Sequence, residues 1–274
     1  MTLTEFKNRW VSIGEMRFER KEVERALDIV HYLQVKEKVP GAHCALASTL
    51  VLDLLQPQEA ILEKMNDTTR YEIRRAESKD QLIYGSERKP SADQIEEFCQ
   101  FFARFASFKN LALPSARVLR AYAENNLLDL SWVQTGEGKV LSWHVNYMEK
   151  NRVRQLHAAT LRFDSVQKDK HLVSRANRWH HWQDILHFQN EGCAKFDFGG
   201  IPATGGTQSQ KHIAAFKEQF GGIREDGFNC ELSLTLRWRV FTLAKSLLSR
   251  TTAFRHSLQN LAYFFRDRTK KAPH

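Results

Sequence analysis

The chain has 274 residues, 42% of them hydrophobic, enough for one large domain with a sizeable core. No stretch of about 18 uncharged apolar residues occurs, and MTLTEFKNRW lacks the apolar centre of a secretion signal, so the composition points away from spanning or exported proteins. The net charge is +9, but nine Lys or Arg and a single acid, Asp267, fall in residues 237–274, so the basic balance describes the tail and leaves the body close to neutral.

Residues 22–36 have helical composition and stop at Val39-Pro40-Gly41. Residues 48–54 are β-branched and apolar, which predicts a strand. Residues 58–78 predict one long helix. Ser91, with Gln94 three positions on, has capping-box spacing and opens a helix to about Ser107. Another helix is expected over 115–125. Two strands, 140–148 and 153–163, flank the polar turn Glu149-Lys150-Asn151-Arg152. A long helix rich in Trp and His follows over 172–190. The strand 195–198 then runs into Gly199-Gly200, a glycine-rich loop, a helix carrying Phe216-Lys217, and the stop Gly221-Gly222. A last strand is expected over 231–240. Helices interleaved with strands indicate an α/β or α+β domain. Cys44, Cys99, Cys193 and Cys230 lack CxxC spacing and are expected as reduced thiols.

If Met148 pairs with Val153, His144 faces His157 and Asn146 faces Gln155. One sheet face then presents Ser142, His144, Asn146, Gln155 and His157, either as a cleft wall supplying a general base or as a solvated surface. Arg70, Arg74 and Arg75 share one helix face, which suits phosphate or carboxylate groups or a solvated face paired with Glu72 and Glu77. Lys217 borders the apolar stripe of Ile213, Phe216 and Phe220, so it either enters a site or extends to solvent. Asp197 alternates with Phe196 and Phe198, so it either points into the site or holds the glycine loop through N–H groups. P-loop, dinucleotide, HExxH and GxSxG patterns are absent, and the adjacent His180 and His181 would leave a helix in different directions; no metal site is expected.

MNDTTRYEIRRAE, then ANRWHHWQDILHFQNEGCAKFDFGGI, then FKEQFGG, in that order over residues 48–222, resembles the FemAB/FemX-type acyltransferases of the GNAT-like superfamily. The resemblance implies a mixed, curved sheet flanked by helices, with a ligand cleft where central strands splay. It implies transfer of an acyl or aminoacyl group to an amine on a cell-envelope precursor or surface sugar. No tightly bound cofactor is implied; acyl-CoA, acyl carrier protein or aminoacyl-tRNA would be the co-substrate, and nucleic acid a partner only in the last case. By the same resemblance Lys217 lies near the transferring group, Arg70 and Arg74 line the first half of the cleft, and Asp197, Gly199 and Gly200 form the strand-end turn. His144 or His157 would be the base. The sequence departs from the family in having only residues 1–47 ahead of the first matching strand, no evident helical arm for tRNA, and no glycine in 166–174, where a pyrophosphate loop would fall.

The expected organisation is a helical segment or first-lobe remnant at 1–47, an acyltransferase domain at 48–236 and a basic amphipathic helix at 237–274. In that tail Trp238, Phe241, Leu248, Phe254, Leu258 and Phe265 recur at helical spacing. It would pack on the body, grip RNA, or lie on an anionic membrane and hold the protein at the inner, cytoplasmic face. The alternative function is a non-catalytic membrane- or RNA-binding module acting through this tail.

Overall fold

The computed structural model describes residues 2–8, 10–23, 26–109, 111–163, 170–202, 205–236 and 238–240, so the expected basic helix lies outside the described residues apart from its first few positions. Ten strands form one mixed sheet: β1 (Thr4–Asn8), β2 (Val11–Arg17), β3 (Ile29–Val35), β4 (His43–Asp53), β5 (Ile83–Glu87), β6 (Leu128–Gln134), β7 (Val140–Glu149), β8 (Arg152–Thr160), β9 (Lys195–Ile201) and β10 (Ile223–Ser233). Their order across the sheet is β1-β2-β3-β10-β4-β9-β8-β7-β6-β5. Neighbours are antiparallel except β2 with β3 and β8 with β9. The helices are α1 (Gln58–Lys64), α2 (Asp67–Lys79), α3 (Ala92–Lys109), α4 (Ala116–Glu124), α5 (Lys170–Asn190) and α6 (Gln208–Glu218).

Of three core clusters, one packs around β2, β3 and β10, and two cover the two faces of the rest of the sheet. On one face α1, α2 and α5 bury Ile61, Ile73, Ile185 and Phe188 against Leu52, Phe196 and Phe198. On the other, α3 and α4 bury Phe98, Phe102 and Leu119 against Leu130, Trp143, Val145 and Tyr147. Each such side chain contributes about 1.5–3 kcal/mol when fully removed from water.

Local chemistry explains most boundaries. The Ser91 hydroxyl accepts from the Gln94 N–H (3.2 Å) and the Gln94 side chain accepts from the Ser91 N–H (2.9 Å), which is the expected capping box. The single helix expected over 58–78 is broken in two because Asn66 takes extended backbone and its side chain accepts from the Thr69 N–H (2.8 Å), starting α2 afresh.

Three expectations are corrected. The segment 1–47 is not helical. Its described elements are strands, and the helix read over 22–36 is β3, whose Ile29, Val30, Tyr32 and Val35 are buried between β2 and β10. The last strand is β10 at 223–233 rather than 231–240. Its charged start is satisfied across strands, with Arg224 on the Ser48 hydroxyl and Lys195 on Glu225. Finally, Cys44 and Cys230 are not both thiols: β4 and β10 place them opposite each other with Cα atoms 4.1 Å apart, and they form a disulfide, while Cys99 and Cys193 are outside any disulfide.

Candidate active site

The parallel pair β8–β9 is the origin of the site. It is hydrogen-bonded only from Arg152 opposite Lys195 to Arg154 opposite Asp197, and beyond that point the strands are no longer paired. A cavity of about 1120 Å³ opens there. Gln155 to Ala158 of β8 and Phe198 to Gly200 of β9 line it, with Lys217 of α6 and His181 of α5.

Asp197 closes the paired end. Its carboxylate accepts from Arg152 (2.6 Å), Arg154 (2.8 Å) and the Gly199 N–H (2.8 Å), and it lies against the Thr49 hydroxyl of β4. Burial would push its pKa up, but Arg154 and Arg152 outweigh that and hold it below the usual carboxylate range. Asp197 thus holds the glycine turn, one of the two parts its alternation allowed. Gly199 has φ +80°, and a Cβ there would sit 2.9 Å from the Gln155 carbonyl oxygen, so the turn needs glycine. At Gly200 the nearest atom would be 4.0 Å away, and its carbonyl is the feature that matters: it accepts from Lys217 Nζ at 2.8 Å.

Lys217 therefore stands at the mouth of the splay. Burial, reinforced by the Arg154 charge, brings its pKa down to about 8. At neutral pH it remains a cation, poorly solvated and available to an anion.

The two histidines expected to face each other do not. A bulge between Val145 and Asn146 leaves Asn146 opposite Gln155 but places Val145 opposite His157 and Ala158 opposite His144. His157 is thereby turned to the other face, its ring 5.4 Å from Phe102 and 6.3 Å from Phe98, where it lines the cavity. His144 does not line it. His144 is fully buried beneath α5, with Nδ1 2.7 Å from Asp184 and its ring stacked 3.6 Å from that of His180. The polar face read from Ser142, His144 and Asn146 is neither solvated nor a cleft wall; it is the floor of a buried network. Ser131 donates to Asp184 (2.8 Å), Tyr84 donates to Asp184 (3.0 Å), and both His180 nitrogens meet hydroxyls, Ser131 at 3.0 Å and Ser142 at 2.7 Å.

His144, His180 and Asp184 lie near enough to one another to suggest a metal site. The ring geometry opposes it. The two imidazoles are within 7° of parallel and 3.6 Å apart, so their in-plane lone pairs run side by side and cannot converge on one ion at about 2.1 Å. The cluster is a hydrogen-bonded network.

His181, one position on, meets the same His144 ring edge-on at 4.4 Å and lines the cavity. Its Nδ1 lies 2.7 Å from the Asn177 carbonyl oxygen, which can only accept, so Nδ1 carries the proton. Nε2 is then the basic nitrogen, 3.3 Å from the Gln155 amide. Burial first, and the neighbouring His144 second, hold His181 neutral. The adjacency of His180 and His181 was plain in the sequence, but the cavity that makes His181 interesting depends on the distant β8–β9 splay.

Arg70 and Arg74 are not among the cavity residues. Arg70 donates to the carbonyls of Glu63 (2.8 Å) and Met65 (2.7 Å), tying the end of α1 to α2, and Arg74 is exposed. The cation in the cleft beside Lys217 is instead Arg154, with Arg152 behind it.

No protein-family model and no curated protein matches the chain. Solved structures do. FemX superposes with a TM-score of 0.55 at 12% identity, over 72% of this chain and 63% of FemX, so the chain spans less than two thirds of that protein. The chain has a GNAT-like fold. The C-terminal domain of a putative lysylphosphatidylglycerol synthetase from Agrobacterium fabrum agrees, with a TM-score of 0.52 at 12% identity over 89% of this chain and 84% of that one. In this GNAT-like sheet β8 and β9 are the splayed pair. Among the described residues no helix is long and apolar enough to cross a membrane.

Proposed function

We propose that the chain is an N-acyltransferase that moves an acyl or aminoacyl group from an activated donor to an amine, on a cell-envelope precursor or surface sugar. The observation that carries this reading is the cleft at the β8–β9 splay, with the Lys217 cation on one wall and the neutral His181 on another. The likeness to FemX supports it through the fold.

The amine nitrogen attacks the acyl carbonyl carbon and forms the new C–N bond. Its proton passes to Nε2 of His181. The negative charge that gathers on the carbonyl oxygen is met by Lys217. Collapse expels the donor's thiolate or ribose oxygen, which takes the proton back from His181. A positioned base contributes about 10²–10⁴ in rate and one oxyanion partner about 10²–10³. Gly199, Gly200 and Asp197 keep the mouth of the splay in shape. The basic segment 237–274 supports a tether on an anionic surface near the acceptor.

The test is a panel of acetyl-CoA, long-chain acyl-CoA, acyl carrier protein thioesters and aminoacyl-tRNA, with amine acceptors, read by mass spectrometry of the products. Turnover with at least one donor is expected, reduced about 10²-fold or more in His181→Gln. No product from any of them would end the acyltransferase reading.

A further inference from the structure

The cavity is larger than the reacting groups need. Small-molecule pockets commonly hold about 300–1,000 Å³, and this one, at about 1120 Å³, runs from the splay to the joint between α3 and α4. Its two ends differ in chemistry. Lys217, Arg154, Gln155 and His181 stand at the splay. The far arm is walled by Phe102 and Phe105 of α3, Leu111 and Leu113 of the connection, Val118 of α4 and Leu156 of β8. Phe105, Val118 and Leu156 are only partly covered by their own chain, and Leu113 is 52% exposed. Phe105, Leu111, Val118 and Leu156 pack on the α3–α4 core from behind and present apolar surface to the cavity. Lys109 and Arg117, both exposed, also line the cavity, as do Glu15, Arg17 and His31 of β2 and β3.

We infer that the arm between α3, α4 and β8 holds a long hydrocarbon chain carried by one of the two reactants. An apolar surface continuous with a reactive site that carries the Arg154 and Lys217 cations fits a fatty chain joined, at the splay, to an anionic group. The anion is supplied equally by the phosphates of a fatty acyl-CoA or by the headgroup of a lipid acceptor. The inference adds a substrate class to the acyl-transfer reading and rests on it only for what happens after binding.

Binding to the full chain is measured below the micelle concentration, by calorimetry, in two matched series: acetyl-, octanoyl- and palmitoyl-CoA for the donor, and butyl-, octyl- and dodecylamine phosphates for the acceptor. Each methylene buried strengthens binding about fourfold, so one series should tighten steeply with length and the other stay flat, which identifies the reactant carrying the chain. Leu156→Trp, filling the arm, should abolish the dependence on length. Leu113→Glu, at an exposed position where folding is not at risk, should weaken the longest ligand about tenfold or more. Two flat series, or a steep series untouched by both variants, would overturn the inference. Steep binding without product in any donor assay would instead remove the acyl-transfer reading and leave the arm in place.

Discussion

Lys217 carries a charge in a place that resists it, and the two consequences can be separated. Its pKa falls from 10.5 to about 8 through burial and the Arg154 charge. The unfolded chain therefore holds this proton more tightly than the folded one. Lys217 costs stability at neutral pH, and the cost fades as pH rises from about 8 towards 10.5. Lys217→Met should raise the melting temperature at pH 7 by about 2 °C and lower transfer about 10²–10³-fold. A fall in both would make the lysine a structural support for the Gly200 turn. Transfer by the native protein should decline as pH rises through about 8, and Lys217→Arg should lose that decline, because a guanidinium stays charged. Lys217 was legible in the sequence because it borders an apolar helical stripe. Arg154 was not: its meaning comes from Asp197, which is adjacent only through the parallel β8–β9 pairing.

At the scale of elements, a single extra residue decides where the histidines serve. The bulge after Val145 keeps His144 under α5 and turns His157 to the α3 side. The alternation of Leu141 to Tyr147 predicted the strand and its faces, but a bulge leaves no mark in composition, so the pairing of His144 with His157 was not recoverable from it. The capping boxes at Ser91 and Thr207, by contrast, involve neighbours three residues apart, and the first was read directly. The turn after β9 offers a clean comparison. Gly199→Ala forces a left-handed backbone and a contact at 2.9 Å on Gln155, and should cost about 2 kcal/mol with a drop in kcat as the splay shifts. Gly200→Ala meets nothing nearer than 4.0 Å and should stay within about 0.5 kcal/mol of the native protein. Denaturant melts of the pair check both, and equal losses would show that the turn has no special need at Gly199.

Across the whole sheet, Asp197 joins four adjacent strands: β9 itself, β8 through Arg152 and Arg154, β4 through Thr49, and β10 through the bridge from Arg152 to Glu225. Its carboxyl is held below its ordinary value, so its contribution is complete above the unfolded pKa of about 4 and is lost as pH falls through the lower folded one. Asp197→Asn should be less stable than the native protein by about 3 kcal/mol at pH 7, and the gap should narrow in acid. A gap independent of pH would assign the loss to geometry rather than charge. Alkylation mass mapping should find Cys99 and Cys193 as thiols, Cys193 slow because burial raises its pKa to about 11, and Cys44 with Cys230 unreactive until reduced. Four reactive thiols in the unreduced protein would show the pair open, as a reducing compartment keeps it. The interleaving of helix and strand gave the fold class from the sequence. The membership of the first three strands in the same sheet could not be seen, because the strand that joins them lies nearly two hundred residues downstream.

That joining strand has a consequence for how the molecule is made. β10, the last described strand, sits between β3 and β4. As the chain emerges, β4 to β9 can assemble from pairings already available, whereas β1 to β3 have only one another. Until residues 223–233 arrive, β3 and β4 each present an open edge to the solvent. The sheet is thus completed from its middle, last, by a strand that inserts rather than extends. Such late, long-range closure is slow and leaves both edges open to wrong partners in the interval.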